Sequence, residues 1–362
     1  MDFELDVAQQ VIATSAADVL RGADTGDAAW QAMAKAGLLA LTLPGWLDGD
    51  ELGVLEAAVL LTEVGRAAAS VPALNTIMLG ALPVTRWGSR DQQEQMLAGV
   101  GTGDAILSAA VRETSTPMPV APATTATLTG DGRAGTVTGT KVGVRYAAQA
   151  RWLLVPATTT GGGRAVVIVD PAAGGVDVCL TPACGDVPEY TVRLDRAPIT
   201  GVLGTDQQET GEAVDDLYRL AAAGAAAMAD GALAGALDLT ARYVASREQF
   251  GKPLATFQAV AQQIADVYVT SRTLHLAALS ACWRLAVGLD PAQDVDIAAY
   301  WLAQEAPAAV RTCHHLHGGI GLDVEYPLHR YSSMISDLVR FVGGADYRLS
   351  LLSEIRGSGN VR

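Results

Sequence analysis

Basic residues are scarce: the chain has 25 Lys and Arg against 39 Asp and Glu, a formal charge of −14. They form no run anywhere in the sequence. Binding a nucleic-acid backbone needs a clustered cationic surface that releases counterions, so nucleic acid is excluded as a partner. A few placed arginines can still hold a pyrophosphate. Aromatic residues make up only 5% of the chain, with four phenylalanines, so close-packed Ala and Gly must build much of the core. Cysteine occurs four times, at 179, 184, 282 and 313, and never as C-x-x-C. Reduced thiols in a cytoplasmic protein are the expectation. The start, Met1-Asp2-Phe3-Glu4-Leu5-Asp6, has no cationic region of the kind that opens a secretory signal. The most apolar stretch, Leu217 to Thr240, is mostly Ala and Gly and is interrupted by Asp230 and Asp238. It reads as a buried helix of a soluble protein, and no membrane span is expected.

What is present falls into three parts. Residues 1–104 carry apolar residues at helical spacing, as in Ala28–Leu41, Val54–Gly65 and Asp91–Gly99, with prolines at 72 and 83 where new helices can begin. Residues 105–204 are rich in Thr, Val, Gly and Pro. Thr136–Val144, Trp152–Val155, Ala165–Val169 and Tyr190–Leu194 are β-like, and Gly130-Asp131-Gly132 and Gly161-Gly162-Gly163 read as turns. Residues 205–362 return to helical periodicity over roughly 212–247, 257–288, 294–317 and 325–356. Gly224, Gly231 and Gly235 share one region of the first of these helices and predict a close backbone approach there. The expected class is α+β: an N-terminal helical domain, a middle antiparallel β domain and a C-terminal four-helix bundle.

Two motifs carry chemistry. The first is Arg247-Glu248-Gln249-Phe250-Gly251-Lys252-Pro253-Leu254-Ala255-Thr256-Phe257-Gln258; the second is His317-Gly318-Gly319-Ile320-Gly321 followed by Glu325-Tyr326-Pro327 and Arg330-Tyr331. An arginine fork suits a pyrophosphate. Phe250 and Phe257 offer aromatic faces to an adenine, and Gln258 has both a donor and an acceptor for ribose or adenine edges. Gly318 and Gly319 let a backbone N–H approach a ligand. Cys313, His314, His315 and His317 lack a second ligand pair, so no metal site is expected. No nucleophile-elbow motif occurs, which argues against hydrolase chemistry.

Together these blocks closely resemble the acyl-CoA dehydrogenase family, whose R-x-x-F-G-x-P-[LI]-x-x-F-Q run is matched at every fixed position. Gly139-Thr140-Lys141 and Trp152 also agree. The resemblance implies the acyl-CoA dehydrogenase fold. It also implies that Arg247, Phe250, Phe257, Gln258, His317, Gly318 and Gly319, with the backbone of His315 and Leu316, contact the FAD of a neighbouring subunit.

The sequence departs from the family where the chemistry is done. Members abstract an α-proton with a glutamate. Its usual place falls on Val342 or Gly343 here, and its alternative place near Ala221. The family's T-E-P-x-x-G-S-D-like flavin loop corresponds to Arg112-Glu113-Thr114-Ser115-Thr116-Pro117-Met118-Pro119, and its W-I-[ST] shield to Gly143-Val144-Arg145. His314–Gly319, Tyr331, Leu338–Gly344 and Gly139–Val144 resemble the non-catalytic subunit of the heteromeric acyl-CoA dehydrogenases of steroid side-chain β-oxidation. This implies a second acyl-CoA dehydrogenase subunit carrying the catalytic glutamate in an α2β2 heterotetramer. It also implies a steroid or other acyl-CoA substrate and an electron-transfer flavoprotein as electron acceptor. A homotetrameric dehydrogenase with a relocated base, on Asp215, Asp216 or Asp230, and a non-enzymatic scaffold remain as alternatives.

Overall fold

The computed structural model describes residues 3–22, 26–130, 132–204 and 207–359. The helices are α1 (Val7–Gly22), α2 (Asp27–Lys35), α3 (Val54–Arg66), α4 (Leu82–Trp87), α5 (Arg90–Leu97), α6 (Gln207–Ser246), α7 (Gln258–Val287), α8 (Ala292–Gln304), α9 (Ala306–His317), α10 (Leu328–Val342) and α11 (Ala345–Gly359). The strands are β1 (Ile106–Ala109), β2 (Thr125–Leu128), β3 (Gly135–Arg145), β4 (Ala150–Thr159), β5 (Arg164–Val169), β6 (Val176–Thr181), β7 (Glu189–Ile199), β8 (Gly201–Val202), β9 (Glu248–Gln249) and β10 (Lys252–Pro253). The order of N-terminal helices, middle sheet and C-terminal helices is the one that the sequence pattern predicts.

The chain forms two compact units. One comprises Ala23–Ala57 and Ser70–Ala221, the other Met1–Gly22, Ala58–Ala69 and Ala222–Arg362. The first contains the eight-stranded sheet, ordered β6-β7-β3-β2-β4-β5-β8 with β1 added on β4. Most ladders are antiparallel, as expected, but β1 and β2 run parallel to β4. Alternate residues of the long strands point to one core, in which Leu153, Val155, Val167, Val169, Val192 and Leu194 pack together.

In the helical unit, α6 meets α3 with almost no side-chain layer between them. A Cβ at Gly231 would collide with the carbonyl oxygen of Thr62, and one at Gly65 with that of Met228. A Cβ at Gly235 would meet the Arg66 carbonyl and the Tyr331 ring. The crossing is fastened by Thr62 Oγ1, which donates to Ala227 O at 3.2 Å, and by Tyr331, whose hydroxyl donates to Arg66 O at 3.0 Å. The helix is long and apolar enough to cross a bilayer by length and composition, yet 89% of its apolar window is buried within the protein.

Two long helical readings divide in the structure. The stretch 294–317 breaks at Glu305, before an α9 whose first turn contains Pro307, which has no N–H to donate. The stretch 325–356 breaks at Gly343 and Gly344, both left-handed at φ 94° and 82°.

Gly231→Ala tests the helix crossing. Alanine favours helix over glycine by about 1 kcal/mol, but its Cβ meets a fixed carbonyl, and overpacking costs about 1–3 kcal/mol. The expected result is a lower urea midpoint with an unchanged slope.

Candidate functional site

The first motif begins where α6 ends. Arg247 N–H donates to Tyr243 O at 2.8 Å, and Arg247 O accepts from Leu254 N–H at 2.8 Å, closing the β9–β10 hairpin against the helix end. The two turn residues, Phe250 and Gly251, are both left-handed, at φ 53° and 78°. This is the pairing that a tight two-residue hairpin requires. It is unusual for a phenylalanine, and the residue is 92% exposed. The Phe257 ring meets it edge to face at 6.3 Å, and Lys252 Nζ lies 4.4 Å from the Phe257 ring centre. Gln258 opens α7 on the surface. The exposed Arg247 guanidinium has no ion-pair or hydrogen-bond partner among the described residues.

The second motif lies beside the first because His317 stacks on Tyr243, with ring centres 4.5 Å apart and planes 20° apart. The second face of the contact is Tyr326, 5.2 Å away. His317 Nδ1 lies 2.8 Å from Cys313 O, and Nε2 lies 3.1 Å from the Tyr326 hydroxyl. The carbonyl can only accept, so Nδ1 carries the proton, and in the neutral ring Nε2 accepts from Tyr326. Burial pushes the imidazole below its ordinary value; the Cys313 hydrogen bond opposes this and the charge of His314 adds to it. The His317 side chain is therefore committed to contacts within the protein. Leu316 is buried and His315 exposed. Gly318 turns the chain with φ 63°, and a Cβ at Gly318 or Gly319 would meet nothing within 4 Å. The backbone there faces open space.

The positions at which the family resemblance places a base hold no proton acceptor. Val342 is buried at the end of α10, Gly343 caps that helix, and Ala221 is fully buried. The nearby carboxylates are committed elsewhere. Asp215 receives both arms of Arg164, at 2.6 and 2.9 Å. Asp216 accepts from Arg86 and from the Trp87 indole, each at 2.8 Å. Asp230 lies 2.8 Å from His275 Nδ1, beside a cavity of about 100 Å³ lined also by Thr62, Glu63 and Arg66. Sites for drug-sized ligands span roughly 300–1,000 Å³, so this cavity does not accommodate a long acyl thioester.

The segment corresponding to the flavin loop is bound into the sheet unit. Glu113 accepts from the N–H groups of Ala123 and Thr124 at 2.7 and 2.9 Å, and from Lys141 Nζ at 2.8 Å. Lys141 also donates to Pro156 O at 2.7 Å and is wholly buried. Burial alone would raise the Glu113 carboxyl, but the charge and hydrogen bond of Lys141, with hydrogen bonds from Thr124, together hold it below its ordinary value. Burial draws the Lys141 ammonium down to about 8 against the pull of Glu113. Nearby, Arg145 pairs with Glu189 at 3.3 Å, both buried. A Cβ at Gly143 would collide with the Arg112 guanidinium and come within 3.5 Å of Glu189. Arginines and a carboxylate thus fill the ground next to Gly143. Neither Glu189 nor Arg112 as a filler of this space carries a signal in the sequence, because the three residues are far apart along the chain.

Residues 5–104 match the acyl-CoA dehydrogenase N-terminal domain, and residues 218–347 the acyl-CoA dehydrogenase C-terminal domain. Acyl-CoA dehydrogenase FadE28 of Mycobacterium tuberculosis is 45% identical over 353 residues, which cover 97% of this chain and 98% of that protein. This chain belongs to the acyl-CoA dehydrogenase family. Among solved structures, the ChsE4-ChsE5 complex from Mycobacterium tuberculosis is similar over 100% of both chains, with a TM-score of 0.88 and 30% identity. A variant of the steroid ACAD Tcur3481-Tcur3483 gives a TM-score of 0.87 and 32% identity over 98% of this chain and 97% of that one.

The surface at Arg247 suits the flavin nucleotide that this acyl-CoA dehydrogenase family uses. An unpaired guanidinium, an exposed phenylalanine and two glycines with open backbone match a pyrophosphate and an adenine ring. The ground near Gly143 does not suit an isoalloxazine, because the charged side chains of Arg112, Arg145 and Glu189 already occupy it.

Lys141→Met isolates the buried pair. Leaving Glu113 buried without its cation is expected to cost about 3–5 kcal/mol, and adding Glu113→Gln to recover part of that loss. The sign of the pH dependence follows from the lowered Glu113 carboxyl: its contribution is complete above the ordinary value of 4.5 and is lost as pH falls through the folded value. The stability difference between wild type and Lys141→Met, read from urea midpoints, should therefore be largest near neutral pH and shrink as pH falls below 4.5, because protonation removes the uncompensated Glu113 charge.

Proposed function

We propose that this chain is one subunit of a heteromeric FAD-dependent acyl-CoA dehydrogenase that introduces an α,β double bond into a CoA thioester, with a steroid side-chain acyl-CoA as substrate class. The observation that carries this reading is the partition of the family's machinery. Val342, Gly343 and Ala221 accept no proton, and Asp215 and Asp216 are held in ion pairs. Arg247, Phe250 and Gln258 meanwhile stand exposed. The structural neighbours named as the ChsE4-ChsE5 complex and as a steroid ACAD support a two-subunit assembly and a steroid substrate.

In the assembly, an α2β2 heterotetramer, the second subunit supplies the flavin loops and the glutamate that removes the α-proton. Bound FAD supplies the hydride acceptor for the β-carbon, and its electrons go on to an electron-transfer flavoprotein. On this chain, Arg247 holds the pyrophosphate and Phe250 and Phe257 provide apolar faces for the adenine. Gln258 hydrogen-bonds a ribose or adenine edge, and the backbone from His315 to Gly319 approaches the nucleotide.

The test is co-expression with an acyl-CoA dehydrogenase encoded beside it. The pair should carry one FAD per heterodimer and turn over a steroid-CoA thioester, while the chain alone is colourless and inactive. A yellow, active single chain would establish a self-sufficient enzyme instead, and a flavin-free pair a scaffold. Arg247→Ala should weaken FAD retention by about 10- to 100-fold, the range expected for a charged hydrogen bond. Stability of the isolated chain should change by no more than about 0.5 kcal/mol. Unaltered FAD retention would remove Arg247 from the site.

A further inference from the structure

We propose that Tyr326 and Tyr243 are positioning residues for the cofactor: gripping His317 from two sides, they fix the turn that presents the Gly318 and Gly319 backbone to the nucleotide. This rests on the assignment of FAD to the Arg247 surface.

The argument starts from the turn. Gly318 has φ 63° and ψ −139°, a conformation nearly restricted to glycine, and neither it nor Gly319 has a side chain to hold it. Side-chain packing at the two glycines is absent; the turn is tied to α9 by the Gly318 N–H, which donates to the carbonyls of His314 and His315, and by His314 Nδ1, 2.9 Å from Gly321 O. His317, the residue before it, adds the contacts that join this turn to α6 and to Tyr326. The side chain there is held by the Tyr326 hydroxyl at Nε2 and by Cys313 O at Nδ1, at 3.1 and 2.8 Å. The main chain is held by the Tyr243 hydroxyl, which donates to His317 O at 3.3 Å. Tyr243 lies one helical turn before Arg247, so the same residue ties the turn to the guanidinium. Tyr326 belongs to the Glu325-Tyr326-Pro327 tract, which gives that tract a role the sequence alone does not supply.

The grip depends on which ring nitrogen carries a proton. The titratable groups around His317 are Cys313 and His314 on α9, Tyr243 on α6 and Tyr326, with Arg242 of α6 acting on Tyr326. Protonation turns Nε2 into a donor and takes away the acceptor of the Tyr326 hydroxyl. The folded imidazole titrates below its ordinary 6.5, so the grip is complete above that value and weakens as pH falls through the folded one.

The experiment uses the co-purified heteromer, with FAD release followed by flavin fluorescence from about pH 8 to about pH 5. Amide hydrogen exchange of residues 316–320 is measured alongside. Tyr326→Phe should weaken FAD retention by about tenfold, the loss expected when a buried acceptor is left unpaired, and speed exchange at Gly318 and Gly319. Tyr243→Phe, which keeps the stack and removes only the hydroxyl, should do the same to a smaller degree and guards against a folding defect in the first variant. Wild type should release FAD more readily at the acid end, and His317→Gln, which does not titrate there, should flatten that profile. If Arg247→Ala releases FAD while both tyrosine variants retain it with unchanged exchange, the positioning role is overturned and the cofactor assignment stands. If all three retain FAD, both are overturned.

Discussion

Helix α6 can lie where it does only because glycines let its backbone touch that of α3. Gly231 against Thr62 and Gly65 against Met228 leave no room for a methyl group. That contact sets the rotation and height of a 40-residue helix. Everything of interest along it follows at 1.5 Å per residue. Ala221 is buried, Asp230 turns to His275, Tyr243 reaches the histidine turn, and Arg247 emerges at the end.

The two charged clusters of the sheet unit show a different economy. Lys141 and Glu113 are buried with nearly every polar atom satisfied, and they fasten a long loop to the sheet. A buried pair of this kind contributes little net stability compared with an apolar pair, but it is costly to break. It holds the loop in one arrangement. Arg145, Glu189 and Arg112 act in the same sense beside Gly143.

Much of this was legible in the sequence, for identifiable reasons. The strands β3, β4 and β7 are long, and β5 is a continuous apolar run buried along nearly its whole length, so Thr136–Val144, Trp152–Val155, Ala165–Val169 and Tyr190–Leu194 mark them. Strands β1, β2, β6 and β8 are short or lie at edges, and none of them offers a run long enough to show a period. The parallel pairing of β1 and β2 with β4 depends on distant partners and cannot be read locally. The β9–β10 hairpin hides because its turn is Phe-Gly where Asn-Gly or Asp-Gly would announce it. At the candidate site, Arg247, Phe250 and Gln258 stand out by their motif. The link between the two motifs through Tyr243 does not, since a tyrosine stacked on a histidine 74 residues away leaves no periodic trace.

Phe250 carries a consequence of its own. Held left-handed and unburied at a hairpin tip, it is a poor choice for the free polypeptide. Asparagine or glycine would relax the turn and remove an oily protrusion in one step. Mutation under selection for foldability alone therefore drifts away from phenylalanine at this position. A lineage that keeps the ring is being paid for it by something outside the chain.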